Sequence, residues 1–255
     1  MPIDLAFRDG CAVLTLNRPE ALNALSFAIL GEIGAAIDEA AKSSGRALIV
    51  TGAGPKAFCA GADIKELGSR DLMAQKRGAE LGQAVFAKLD SLPIASIAVI
   101  NGFAFGGGLE LALACTFRLA TTNARMGCPE IKLGLIPGYG GTQRLPRIIG
   151  EPRALELVMT GRTVDAVEAE RIGLVSKIVS GDPVVEGLAF AKTFTGYSLP
   201  TLEFARAAVR RAQTVPLQEG FKIEADLSTL AYRTADAAEG IAAFAEKRPP
   251  RFRDA

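Results

Sequence analysis

Apolar and polar residues alternate along IDLAFRDGCAVLTLNRP, on both sides of Asp9-Gly10. A period of two marks strands with one buried face, and an Asp-Gly pair between two such runs predicts a hairpin, which Pro19 ends. The period then changes. From Phe27 to Ala41 apolar residues recur every three or four positions behind Ser26, a residue suited to cap a helix. Short apolar runs follow in RALIVTG (46–52) and PIASIAVING (93–102), with a helical segment over about 71–89 between them. RLATTNARMG (118–127) reads as short strand pieces, and GLVSKIVS (173–180) as one more strand. Strands that alternate with helices predict an α/β body with parallel strands.

Beyond residue 182 the pattern is helical only. SLPTLEFARAAVRRAQ and PLQEGFKIEADLSTLAY each carry a proline near the start of an amphipathic run. The expected organisation is an α/β core over 1–182 and a helical C-terminal region over 183–255, without fixed-period repeats or low-complexity segments. Leu92 to Leu109 lacks charge, but Pro93, Asn101, Gly102 and a glycine triplet interrupt it. A spanning helix needs about 20 mostly apolar residues in one run, so strand, turn and helix is the better reading and no membrane partner is expected.

Composition narrows the chemistry. With 29 basic and 28 acidic residues, net charge gives no reason to expect nucleic acid or an acidic membrane. Cys11, Cys59, Cys115 and Cys128 form no C-x-x-C pair and read as reduced, mostly buried thiols of a cytoplasmic protein. MPIDLAFRDG has neither the basic nor the apolar part of a signal peptide. Histidine is absent altogether, which removes Ser-His-Asp and Cys-His catalysis and every zinc site that needs His. General acids and bases must then be Asp, Glu, Lys, Tyr or Cys.

Three segments hold the unusual residues: GAGPKAFCAGADIKEL (52–67), NGFAFGGGLEL (101–111) and GCPEIKLGLIPGYGGTQRLPRIIG (127–150). Two of them follow predicted strands at their carboxyl ends, where ligands of α/β folds gather. Gly52-x-Gly54-x-x-Ala57, with Asp71 later, matches a dinucleotide fingerprint only superficially, because Pro55 and FCAGAD interrupt the helix it needs. Neither a P-loop nor a G-x-S-x-G turn occurs. The triplet Gly106–Gly108 has two readings. Glycines free backbone N–H groups at a helix start, where they can meet a developing oxyanion, and AGAD has the same small-residue character. Alternatively, the glycines only let a helix pack tightly on a strand. Glu110 is either a charge that complements its helix dipole or a catalytic carboxylate, and Glu130 is either a solvated loop acid or its partner. Two acids beside two N–H-rich turns, in a chain without histidine, favour the paired acid/base site.

Together NRPEALNAL (17–25), FCAGADIKEL (58–67), INGFAFGGGLELALAC (100–115) and PEIKLGLIPGYGGTQRLPRIIG (129–150) resemble the enoyl-CoA hydratase/isomerase family, the crotonases. TGRTVDAVEAERIGLVSKIV (160–179) and FAEKRPPRF (244–252) echo it more weakly, so the resemblance spans nearly the whole chain. It implies a spiral of β-β-α turns followed by C-terminal helices that trimerise, in a homotrimer or homohexamer. The implied substrates are acyl-CoA thioesters, with coenzyme A arriving as part of the substrate and no resident cofactor or metal. The resemblance assigns oxyanion-hole N–H groups to Ala62 and Gly107, and the two hydratase acids to Glu110 and Glu130. Glu110 would act as base toward water and Glu130 would protonate Cα. It places Ala21, Leu22 and Ala24 and the loop Ala60, Asp63 and Ile64 along the CoA site, with Phe244 and Lys247 approaching CoA from a neighbouring subunit. The segment from about Gly68 to Leu89 would border the acyl pocket. Many members carry Gln before P-E where this chain has Cys128, near the acyl end. Isomerisation, hydration coupled to carbon–carbon cleavage, or dehydration of a hydroxyacyl-CoA would use the same parts. KRPPRFR (247–253) is the sole motive for an RNA-binding member, against neutral charge and the absence of tryptophan.

Overall fold

A computed structural model describes residues 1–63, 66, 68 and 71–255. Contacts divide them into two compact units, Met1–Phe190 and Ala191–Ala255.

The first unit begins with the expected hairpin. β1 (Ile3–Arg8) and β2 (Cys11–Leu16) pair antiparallel with Arg8 opposite Cys11. Asp9 and Gly10, at φ of 49° and 72°, form the two-residue turn whose twist suits a hairpin. Ser26 caps the Phe27–Lys42 helix by accepting from the Ile29 N–H. The chain then winds in β-β-α turns. β3 (Ala47–Gly52) and β4 (Ala57–Cys59) precede the Leu72–Ser91 helix, which Asp71 caps through the Ala74 N–H. β5 (Ala95–Ile100) and β6 (Phe103–Phe105) precede the Gly107–Ala114 helix. β7 (Phe117–Thr121) and β8 (Arg125–Gly127) precede a 3-10 turn at Pro129–Leu133 and the helices Gly141–Ile149 and Glu151–Thr160. β9 (Thr163–Asp165), the Ala166–Arg171 helix and β10 (Lys177–Val179) complete the spiral.

Each turn gives one strand to each of two sheets. The larger sheet has the order β1-β2-β3-β5-β7-β10 and is parallel from β2 onward; the smaller has the order β4-β6-β8-β9. β3 and β5 are buried on both faces almost throughout, as the apolar runs predict for strands covered on both sides. The smaller sheet is the part that periodicity does not reveal, since its strands are three residues long. Asn101 and Thr51 tie the ends of β3 and β5 together where the chain leaves the larger sheet: Asn101 donates to the Gly52 and Gly54 carbonyls, and Thr51 Oγ donates to the Val99 carbonyl. The Pro183–Ala191 helix packs in this unit through Gly187, against Ile49 and Val99.

The second unit is helical, as expected: Leu199–Arg211, Leu217–Ala231 and Ala235–Ala245. Its C-terminal tail folds back. Buried Asp236 accepts from the Arg253 and Asp254 N–H groups, and Arg248 forks onto Glu239 at 2.6 and 2.9 Å. Val209, Phe221, Leu230, Ile241 and Phe244 leave more than half of their surface exposed in this unit. Among the described residues, no helix is long and apolar enough to cross a membrane.

Candidate active site

The three glycines of the triplet do three different things. Gly106 has φ +50°, and a Cβ there would stand 2.7 Å from Glu130 Oε1, so only glycine fits both the backbone and the neighbouring carboxylate. Gly107 opens the helix and lies under the Tyr139 ring. Gly108 packs on β4 so closely that a Cβ would stand 2.7 Å from the Cys59 carbonyl carbon. Tight helix–strand packing and an open helix start are therefore both present, at successive residues.

The AGAD loop sits beside this turn. Leu25 forms a parallel bridge with Ala62: its N–H donates to Gly61 O, and its carbonyl accepts from Asp63 N. That pairing turns the Ala62 N–H away from Leu25. Gly61 lies against the triplet, with its Cβ position 2.8 Å from Phe105 O and 3.6 Å from Gly107 N. Among the described residues no acceptor is found for the N–H of Ala62 or of Gly107. The first N–H groups of a helix have no intrahelical partner.

Glu110, one turn into the helix, is 1% exposed. It does not cap its own helix. Its Oε1 accepts from Tyr139 N at 2.8 Å and from Gly141 N at 2.7 Å, across the chain. Burial pushes its pKa up to about 7; the nearby Glu130 charge adds to the rise, while the Gly141 and Tyr139 N–H groups and Arg144 oppose it. Glu130, in the turn after Pro129, is half-buried rather than a solvated loop acid. Burial raises its pKa as well, and its Oε2 is buried with no hydrogen-bond partner among the described residues. Cys128 is fully buried beside the pair, and burial together with both carboxylates pushes its thiol far up. All four cysteines are buried, and none is in a disulfide.

Ala21, Leu22, Ala24, Ala60 and Asp63 come together, all half-buried. Ala60 N donates to Leu22 O at 3.0 Å, and Arg18 reaches Asp63 at 3.9 Å. Ile64 lies outside the described residues. Phe244, 87% exposed, and Lys247, at φ +55°, belong to the second unit. Arg248 of the basic run is paired with Glu239 and Glu246. Among the described residues, no group of three or more His, Cys, Asp or Glu side chains is placed to hold a metal ion.

Sequence reasoning missed three contributors. Tyr139 and Gly141 hold Glu110 through backbone N–H groups, and only the glycines of PGYGG hint at such a turn. Asn23, 2% exposed, ties the turn at Arg18 to the segment that leads into β4 and on to AGAD: it accepts from Arg18 N and donates to the Ala53 and Ala57 carbonyls.

The fold is thus an α/β spiral in which two neighbouring buried or half-buried acids lie beside two N–H groups that find no acceptor among the described residues. The family model for enoyl-CoA hydratase/isomerase matches residues 6–255. A probable enoyl-CoA hydratase of Mycobacterium bovis is 45% identical over 94% of this chain and 93% of its own length. A crotonyl-CoA hydratase of Syntrophomonas wolfei is 41% identical over 98% and 97%. The crystal structure of an enoyl-CoA hydratase from Bacillus anthracis superposes with a TM-score of 0.95 at 36% identity, covering all of both chains. The chain belongs to the enoyl-CoA hydratase/isomerase family.

Proposed function

We propose that the protein is an enoyl-CoA hydratase, a hydro-lyase that adds water syn across the Cα=Cβ bond of a 2-enoyl-CoA thioester. The observation that carries this reading is the placement of Glu110 and Glu130 around the Gly106–Gly107 turn, beside the two N–H groups of Ala62 and Gly107. In this reading the thioester oxygen accepts from both N–H groups. Water between the carboxyls gives a proton to Glu110 as its oxygen bonds to Cβ. The π electrons move to the thioester oxygen, and the enolate that forms takes a proton from Glu130 at Cα. Proton exchange between the two acids and solvent then restores both.

The electrostatics fit two carboxyls that exchange protons near neutral pH. A base with a pKa of about 7 takes up a proton readily near neutral pH. Glu130, also raised by burial and with one oxygen unpartnered among the described residues, is the carboxyl this reading leaves to protonate Cα. Coenzyme A enters with the substrate, along Ala21–Ala24 and Ala60–Ile64, and no resident cofactor is required. The exposed apolar side chains of the C-terminal helices support self-association into a trimer or a dimer of trimers, with Phe244 and Lys247 turned to a neighbour's CoA. Buried thiols outside any disulfide fit a reducing cytoplasmic compartment.

Loss of the enoyl-thioester absorbance with crotonyl-CoA tests the reading. Glu130→Gln should lower turnover by orders of magnitude while the protein stays folded. Unchanged turnover in that variant refutes the reading, and inactivity of the parent on straight-chain enoyl-CoAs redirects it to another reaction of the family.

A further inference from the structure

We infer that the Tyr139 ring sets the length and bulk of the acyl chain the site accepts, and that Gly82 is the niche that holds the ring in place. The inference rests on the acyl-thioester reading for the direction in which the substrate lies; the rest is packing. One edge of the ring faces the Leu72–Ser91 helix, where a Cβ on Gly82 would stand 2.6 Å from Cε1. The other edge faces the triplet, where a Cβ on Gly107 would stand 3.0 Å from Cδ2. The ring therefore fills the gap between two glycine backbones. Phe86 meets it edge-on, with centroids 5.8 Å apart, and the residue is only 8% exposed. Its loop is pinned on the same helix by Gln83 Nε2, which donates to Gly138 O at 2.9 Å.

In that reading two points bracket this ring. The Gly107 N–H would hold the thioester oxygen, and the Tyr139 N–H donates at 2.8 Å to Glu110 Oε1, on the carboxyl that would serve Cβ. Carbons beyond Cβ leave from between these points, alongside a side chain that is held on both edges. A short chain ends before the ring matters, whereas a long one competes with it for volume.

Binding of saturated thioesters reads this directly, because butyryl-, hexanoyl- and decanoyl-CoA cannot be hydrated. Calorimetry on the full chain should show affinity falling from butyryl to decanoyl in the parent. In Tyr139→Ala the ratio of decanoyl to butyryl affinity should rise by about tenfold or more, the scale of one or more methylenes gaining room. Tyr139→Phe should keep the parent ranking, since the ring and not the hydroxyl fills the space. Tyr139→Leu, which retains apolar packing if the alanine variant fails to fold, should shift the ratio part of the way. A folded Tyr139→Ala or Tyr139→Leu with the parent ranking overturns the inference, as does a parent that binds decanoyl-CoA as tightly as butyryl-CoA. Failure of the parent to hydrate crotonyl-CoA sinks the hydratase reading while this binding series still decides the role of Tyr139; a parent that binds no acyl-CoA overturns both.

Discussion

Replacing Glu110 by Gln should abolish turnover and, above neutral pH, stabilise the protein. The carboxamide oxygen can still accept from Tyr139 N and Gly141 N, which lie 2.8 and 2.7 Å from Oε1. What disappears is a charge in a site that is 1% exposed. The folded pKa of Glu110 is raised from 4.5 to about 7, chiefly by burial. A raised pKa means that folding favours the protonated form. The resulting stabilisation is fully present below the unfolded value and is lost as pH rises through the folded one. A shift of this size corresponds to about 3 kcal/mol between the two ends of that window. Glu110→Gln has no such titration. The stability of the variant relative to the parent should therefore rise by about 3 kcal/mol between pH 4.5 and pH 8.5. Urea unfolding of both proteins at matched concentration, at several pH values across the window, measures it. A stability difference that stays constant with pH would refute the argument that burial raises the pKa of Glu110.

Other consequences follow from the packing around the site. Gly108→Ala must separate the Gly107–Ala114 helix from β4 and should cost about 1–3 kcal/mol or more, seen as a fall in Tm. Gly31→Ala, in an exposed turn of the Phe27–Lys42 helix with nothing within 4 Å of the new Cβ, should instead stabilise by about 0.5–1 kcal/mol. Equal shifts in the two variants would contradict the packing account. Asn23→Ala leaves the Arg18 N–H and the Ala53 and Ala57 carbonyls without their side-chain partner, at about 1–3 kcal/mol for each group left buried and unpaired. It should also lower kcat more than it raises KM, by loosening the loop that carries Ala62; a stability loss with unchanged kcat would confine Asn23 to a structural role.

The larger sheet and the helices were legible because their runs are long enough to show a period: six alternating residues in β1, an apolar run in β3 and β5, and three- and four-residue spacing in the Phe27–Lys42 helix. β4, β6 and β9 have three residues each, too few to show any period, and their pairing is set by the winding of the chain rather than by local preference. At the site, the absence of histidine narrowed the acid/base candidates, and the motifs singled out Glu110 and Glu130. The structure resolves what sequence left open at the triplet, since Gly106 makes room for Glu130 and Gly108 for the Cys59 backbone. The Tyr139 and Gly141 donors stayed hidden because a backbone N–H carries no residue signature. Their selection depends on a turn that brings residues 29 and 31 positions beyond Glu110 back to its carboxylate.

In the proposed reaction water adds to the double bond between two glutamates. Mass spectrometry of the CoA product formed from crotonyl-CoA in water enriched in heavy oxygen tests it most directly. The parent should form a 3-hydroxyacyl-CoA with one solvent oxygen on Cβ and, when the water is also deuterated, one solvent deuterium on Cα, and both Glu110→Gln and Glu130→Gln should lose this product. Efficient labelling by either folded variant, or a parent product that carries no solvent oxygen, would contradict it.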